Sequence, residues 1–154
     1  MCKIDKYIDG NLTGTHNYAK CLVVSSLSFL IPAICAFYRK QYLDSVSICI
    51  ISCISANFWR KPTYSWRRDV DIVVARVSLV VYVVKGLIYV RYVPYMVTGL
   101  PGLVGILYCY YLSDVLLYAK NANWYKFHMA FHYIITYEFL IILDSIHNIT
   151  KPII

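Results

Sequence analysis

Val70–Val93 reads VDIVVARVSLVVYVVKGLIYVRYV, and the fold turns on how this stretch is built. In water, a run so rich in Val and Ile reads as a buried β-strand. In a bilayer, an isolated strand leaves its backbone N–H and C=O groups unpaired, whereas a helix satisfies them internally. A hairpin broken at Lys85-Gly86 is the competing arrangement. The rest of the chain decides for lipid. Of 154 residues, 60% are hydrophobic, 16% aromatic and only 15% charged. Soluble domains run at about 45–50% apolar and about 25% charged. A disordered chain needs low hydrophobicity, and this composition excludes it. The few Gly and Pro exclude collagen-like and linker-rich classes.

Four further segments are long and apolar: Cys21–Tyr38, Tyr42–Trp59, Met96–Ala119 and Phe127–Leu143. A spanning helix needs roughly 20 residues to cross a hydrocarbon core about 30 Å thick. The expected architecture is therefore an all-α membrane protein, a bundle of about five transmembrane helices, multi-pass and integral. Residues 1–20 read as a polar N-terminal tail, 21–146 as a single transmembrane domain and 147–154 as a short C-terminal tail. A cleaved signal peptide fits poorly, because its n-region would carry Asp5 and Asp9.

Five spans place Lys3, Lys6, Lys20, Arg60, Lys61, Arg67, Arg68, Lys120 and Lys126 on one side. The other side holds Arg39, Lys40, Arg91 and Lys151. The positive-inside rule then predicts a cytosolic N-terminus. The net charge of +7 is mostly this topology signal. Arg60, Trp66, Arg67, Arg68 and Trp124 read as interface anchors, with membrane lipids as partners of the basic loop. Nucleic acid is not an expected partner, because the basic residues sit in loops only a few residues long. An Asn11-Leu-Thr13 sequon gives a topology test: it should stay unmodified, and a glycan there would reverse the orientation. Asn148-Ile-Thr150 lies too near a helix end to be informative.

The cysteines Cys2, Cys21, Cys35, Cys49, Cys53 and Cys109 show neither zinc spacing nor a disulfide framework. Cys2 is a weak acylation candidate. Cys49 and Cys53, with Ser45 and Asn57, form a small and polar stripe that suits helix contact. Gly99, Gly102 and Gly105 beside Pro101 invite close packing or a kink.

Ionisable residues inside spans are costly and mark function by default. They fall into two levels. Asn57, Asp71, Arg76, Asp114, His128 and His132 lie within roughly 10 Å of the N-terminal-side boundary. Asp44, Lys85 and Glu138 lie toward the other side. His128 and His132, four residues apart, share a helix face. Two such imidazoles can share a zinc ion, with Asp71 or Asp114 as the available third ligand. A structural alternative pairs Arg76 with Asp114, and Lys85 with Glu138 or Asp44.

The order Ser52-Cys-Ile-Ser55-Ala-Asn57, then Asp71, then His128-Met-Ala-Phe-His132 resembles a superfamily of membrane hydrolases. That superfamily includes alkaline ceramidases, adiponectin-type receptors and GPI-anchor-remodelling lipases. The chain is also similar to uncharacterised small membrane proteins of large DNA viruses and algae. The hydrolase resemblance implies zinc on His128 and His132 and a metal-bound water positioned by Asp71. It also implies Ser52 or Ser55 holding substrate or an oxyanion, and a lipid amide or ester as substrate. Two departures stand out. Asn57 occupies the place of a third histidine ligand, and five spans replace seven.

Three functions follow. The first is a structural or partner-binding membrane protein, including self-association into a homo-oligomer. The second is a zinc-dependent lipid hydrolase acting through His128, His132 and Asp71. The third is a channel or transporter using the two charged levels. No P-loop, GxGxxG or GxSxG motif points to a soluble enzyme.

Overall fold

The structure, a computed structural model, describes residues 18–63 and 65–150. Most of the N-terminal tail, with Cys2, Lys3, Lys6 and the Asn11 sequon, lies outside the described residues, as does Lys151. The described residues form six α-helices: α1 (Ala19–Leu27), α2 (Leu30–Tyr38), α3 (Tyr42–Arg60), α4 (Trp66–Tyr89), α5 (Val93–Tyr118) and α6 (Trp124–Thr150). The first two are halves of one span, Ala19–Tyr38, so five helical segments are long and apolar enough to cross a bilayer. The fold is the expected all-α, multi-pass membrane bundle. The Val-rich stretch is one continuous helix through Lys85-Gly86. Helix α6 runs on past Leu143, through Asp144 to Thr150.

The break between α1 and α2 has a local cause. Pro32 has no N–H to give the Ser28 carbonyl four residues earlier, and its ring crowds that carbonyl. The chain tightens there. Ser28 N–H bonds the Ser25 carbonyl at 3.2 Å, and Ile31 N–H bonds the Ser28 carbonyl at 3.1 Å. Two helices end alike. Lys40 and Lys120 take φ of 61° and 53°. The next residues, Gln41 and Asn121, donate back to the Ala36 and Leu116 carbonyls at 2.9 Å. Each is a Schellman turn with lysine where glycine is usual.

Two buried clusters hold the bundle. One gathers Phe29, Ala33, Ile48, Tyr82, Phe139 and Leu143 toward the middle. The other gathers Leu22, Phe58, Trp59 and Trp124 at the end where α3 finishes and α6 begins. At the opposite end Asp144 accepts from Tyr95 Oη at 2.7 Å and pairs with Arg39 at 2.7 Å. This ties α2, α5 and α6 together.

The contact face of α3 is rotated from the expected stripe. Ser45, Ile48, Ser52, Ser55 and Trp59 are buried, whereas Cys53 is exposed and Asn57 only half-buried. The hydroxyls decide the rotation, because each finds a partner inside. Ser45 donates to the Ala33 carbonyl at 2.8 Å and Ser52 to the Ser26 carbonyl at 3.0 Å.

Helix α6 is the hub, packed against α1, α2, α4 and α5. Helices α4 and α5 follow each other in sequence, yet they do not pack along one another. They stand as two walls over α6, and the gap between them is a cleft.

Candidate functional site in the cleft between α4 and α5

The cleft encloses about 440 Å³, within the range of about 300–1,000 Å³ typical of small-molecule sites. Its walls run from Arg68 to Val90 on α4 and from Tyr95 to Leu117 on α5. At about 1.5 Å per residue that is roughly 30 Å, the thickness of a hydrocarbon core. The lining is mostly apolar. Polar groups concentrate at one end, where Ser55, Arg68, Asp71, Arg76, Ser113, Asp114, His128 and His132 all face the same space. The chain thus brings together most residues singled out from the sequence.

His128 and His132 stand one turn apart with ring centroids 4.8 Å from each other. His132 is 3% exposed, and its Nδ1 lies 2.8 Å from Ser25 Oγ. Ser25 has one hydroxyl hydrogen, and the Leu22 carbonyl lies within its reach at 3.0 Å. In a neutral imidazole one nitrogen donates and the other accepts. With that hydrogen on the Leu22 carbonyl, Nδ1 is the donor to Ser25 and Nε2 the acceptor; in the other tautomer Ser25 donates to Nδ1 and Nε2 carries the proton. His128 Nδ1 meets Ser113 Oγ at 3.2 Å, and its ring rests against Trp59 with centroids 4.8 Å apart.

Hydroxyls fasten this end. Ser26 Oγ donates to the Leu22 carbonyl at 2.8 Å and lies 3.1 Å from Ser55 Oγ. Ser55 also shares the cleft lining with Asp71 and Arg68. Ser28 Oγ lies 2.8 Å from Thr136 Oγ1. Sequence reasoning did not single out Ser25, Ser26, Ser28, Ser113 or Thr136. The available signal was Ser25-Ser26-Leu27-Ser28 four residues before Pro32, three hydroxyls in an apolar span.

Ser52 is fully buried and bonds Ser26 instead of lining the cleft. Trp124 was expected at the interface, but it is 3% exposed. It packs on Trp59 with centroids 6.0 Å apart. Trp66 and Arg60 are exposed at that same end. Arg76 and Asp114 face the cleft from opposite walls. Of the two acids open to Lys85, Asp44 is the one that takes it, and Tyr82 Oη donates to the same carboxylate at 3.1 Å. Glu138 instead lies against Gly99 and Gly102 of α5.

Zinc makes definite demands on such a donor set. A structural or catalytic zinc takes three or four protein ligands. The two imidazoles are close, but among the described residues no three His, Cys, Asp or Glu side chains gather tightly enough to hold one ion. Asp71 and Asp114 line the same cleft without completing the pair. The residues as placed do not fit zinc, and no chemistry is routed through it.

The chain matches no family model, no curated protein and no solved structure.

Proposed function

We propose that this protein binds a membrane lipid, with the lipid chain entering sideways between α4 and α5 and its polar head resting among Ser55, Arg68, Asp71 and His128. The observation that carries this reading is the form of the cleft. It is bilayer-long, open between two unpacked helices, apolar along its length and polar at one end. The mixed charges at the polar end, two arginines with two aspartates, complement a zwitterionic headgroup better than a free anion. By the charge bias of the loops, that end faces the cytosol.

Two other readings have less support. A hydrolase needs a third metal ligand beside His128 and His132. An ion path needs a continuous polar track between the two charged levels, and there Ser78 and Tyr110 are interrupted by Leu103, Ile106, Phe131 and Ile135 along the cleft.

The test is lipid content after detergent purification. Ala75 and Leu103 line the cleft from α4 and α5, and Ala75→Trp with Leu103→Trp fills it. The wild type should retain lipid stoichiometrically through washing, and the filled variant should lose it at unchanged helicity. Equal lipid in both would end the proposal. Zinc content read on the same samples separates the hydrolase. Near-stoichiometric zinc that vanishes in His132→Ala would replace lipid binding with metal chemistry.

A further inference from the structure

Charge is layered along the polar end of the cleft. At about 1.5 Å per residue, Asp71 lies about 7.5 Å into α4 from Trp66, and Asp114 lies about 6 Å into α5 from Tyr118. Arg76 lies deeper in α4, about 15 Å from Trp66. All three line the cleft with open surface: Arg76 and Asp114 are exposed and Asp71 is half-buried. Arg68 also lines the outer level, and it sits 4.0 Å from Asp69. The outer level is therefore acidic on balance, and the level beneath it holds the Arg76 guanidinium.

Arg76 takes no ion pair among the described residues. An arginine at this depth ordinarily has an anionic partner or water. The Cβ of a helical residue leans toward the helix N-terminus, so this side chain leaves α4 in the direction of the polar end. A zwitterionic phospholipid carries its charges in the matching order. Its phosphate joins the glycerol, and its ammonium stands further out. With the chain down the cleft, the phosphate meets Arg76 and the ammonium meets the two aspartates.

The kind of ammonium follows from what is open at the outer level. A quaternary ammonium is held by aromatic faces. The two tryptophans of the lining, Trp59 and Trp124, are buried against each other, so neither offers a face. Carboxylates are offered instead, and a primary ammonium donates hydrogen bonds to them. N-methylation removes those donors.

We infer that the cleft selects a phospholipid whose headgroup ends in a primary ammonium, with the ammonium held by Asp71 and Asp114 and the phosphate by Arg76. This rests on the lipid-binding reading and names the class of lipid.

The probes are phosphatidylethanolamine and phosphatidylcholine with identical acyl chains, which differ only in the methyl groups on nitrogen. Both are offered together in equal amounts to the detergent-purified protein, and native mass spectrometry reads the two adducts. Wild type should favour phosphatidylethanolamine about tenfold, the ratio expected from one charge-assisted hydrogen bond. Asp114→Asn should bind both and lose most of that preference, and adding Asp71→Asn should remove the rest. Asp114 is exposed, so its substitution leaves the packed interior untouched. Arg76→Gln should lower both adducts alike and keep their ratio, because the phosphate is common to the two probes. Equal binding by wild type, or a preference for phosphatidylcholine, overturns the inference. So does a preference that survives the double aspartate variant, or an Arg76→Gln protein that binds both probes as well as wild type. If neither probe binds while the filled-cleft variant loses its lipid, the headgroup assignment fails and lipid binding stands. If neither binds and the filled-cleft variant keeps its lipid, the lipid-binding reading itself has failed.

Discussion

Helices α3 and α4 are neighbours of comparable length, and the one with the more apolar spanning window is the less buried. In α3, 44% of the spanning window is inside the protein; in α4 the share is 6%, with Tyr82 as the one fully buried side chain. In water that ranking would be reversed. In lipid, a valine gains nothing by leaving acyl chains for protein, so burial follows hydroxyls, small residues and close packing. Helix α3 carries Ser45, Ser52 and Ser55, each with a partner inside. Helix α4 carries valines that face outward, among them Val73, Val77 and Val80. The cleft is a consequence. A helix with so little to bury can stand away from its neighbour and leave a slot for a lipid.

The sharpest way to break the comparison is to cut the polar link that holds α4. Asp44 accepts from Tyr82 and pairs with Lys85, both on α4. Asp44→Ala strands the lysine and should cost about 3 kcal/mol, the cost of leaving a buried charge without its partner. Replacing both members, Asp44→Leu with Lys85→Leu, should recover most of that loss. Unfolding titrations in mixed micelles measure both, and an Asp44→Ala protein as stable as wild type would show that α4 is held by packing alone.

Next in size is a matched pair of truncations. Leu143 is fully buried at the hub, whereas Val80 is 64% exposed on α4. Leu143→Ala opens a cavity and should cost about 2–3 kcal/mol. Val80→Ala should change stability by less than about 0.5 kcal/mol, since lipid replaces the lost methyls. A large effect at Val80 would reveal a protein partner on that face.

These contrasts also mark what could be read from the sequence. Five spans were legible, because the length of an apolar run is set by bilayer thickness. The Val-rich segment was legible as helix for the same reason. The structure gathers Ser55, Asp71, Asp114, His128 and His132, all singled out from the sequence, onto one cleft. The rotation of α3 was not. Cys49–Cys53 and Ser45–Ser52 are both stripes of small residues, and only the acceptors on α1 and α2 choose between them. The choice of Asp44 by Lys85 was equally closed to the sequence. Depth along two helices is readable from residue counts; the angle at which each faces the other is not.

Hydroxyl contacts come next. Ser52→Ala removes the bond to the Ser26 carbonyl in a fully buried site. Intramembrane hydrogen bonds are worth about 0.6 kcal/mol on average, so the expected loss is of that order. Ser47 lies on the exposed face and bonds only its own helix at Leu43, so Ser47→Ala should be neutral. If both substitutions are silent, close packing rather than hydrogen bonding selects the buried face of α3.

The smallest effects separate the two walls of the cleft by sign. A Cβ on Gly86 of α4 would meet Ile142 of α6 at 3.6–3.7 Å, an ordinary contact. Gly86→Ala therefore adds packing where α4 has little and removes a flexible residue from a helix interior. A gain of about 0.5 kcal/mol is expected. A Cβ on Gly102 of α5 would overlap the Glu138 carboxyl group, so Gly102→Ala must displace that side chain and should lose stability by a similar amount or more. Alanine has the same helix propensity in both places, so the difference in sign reports only what lies across the contact. Should both substitutions stabilise, Glu138 would have to move at no cost, and the glycines of α5 would be there to fit α6 closely instead of making room for a carboxylate.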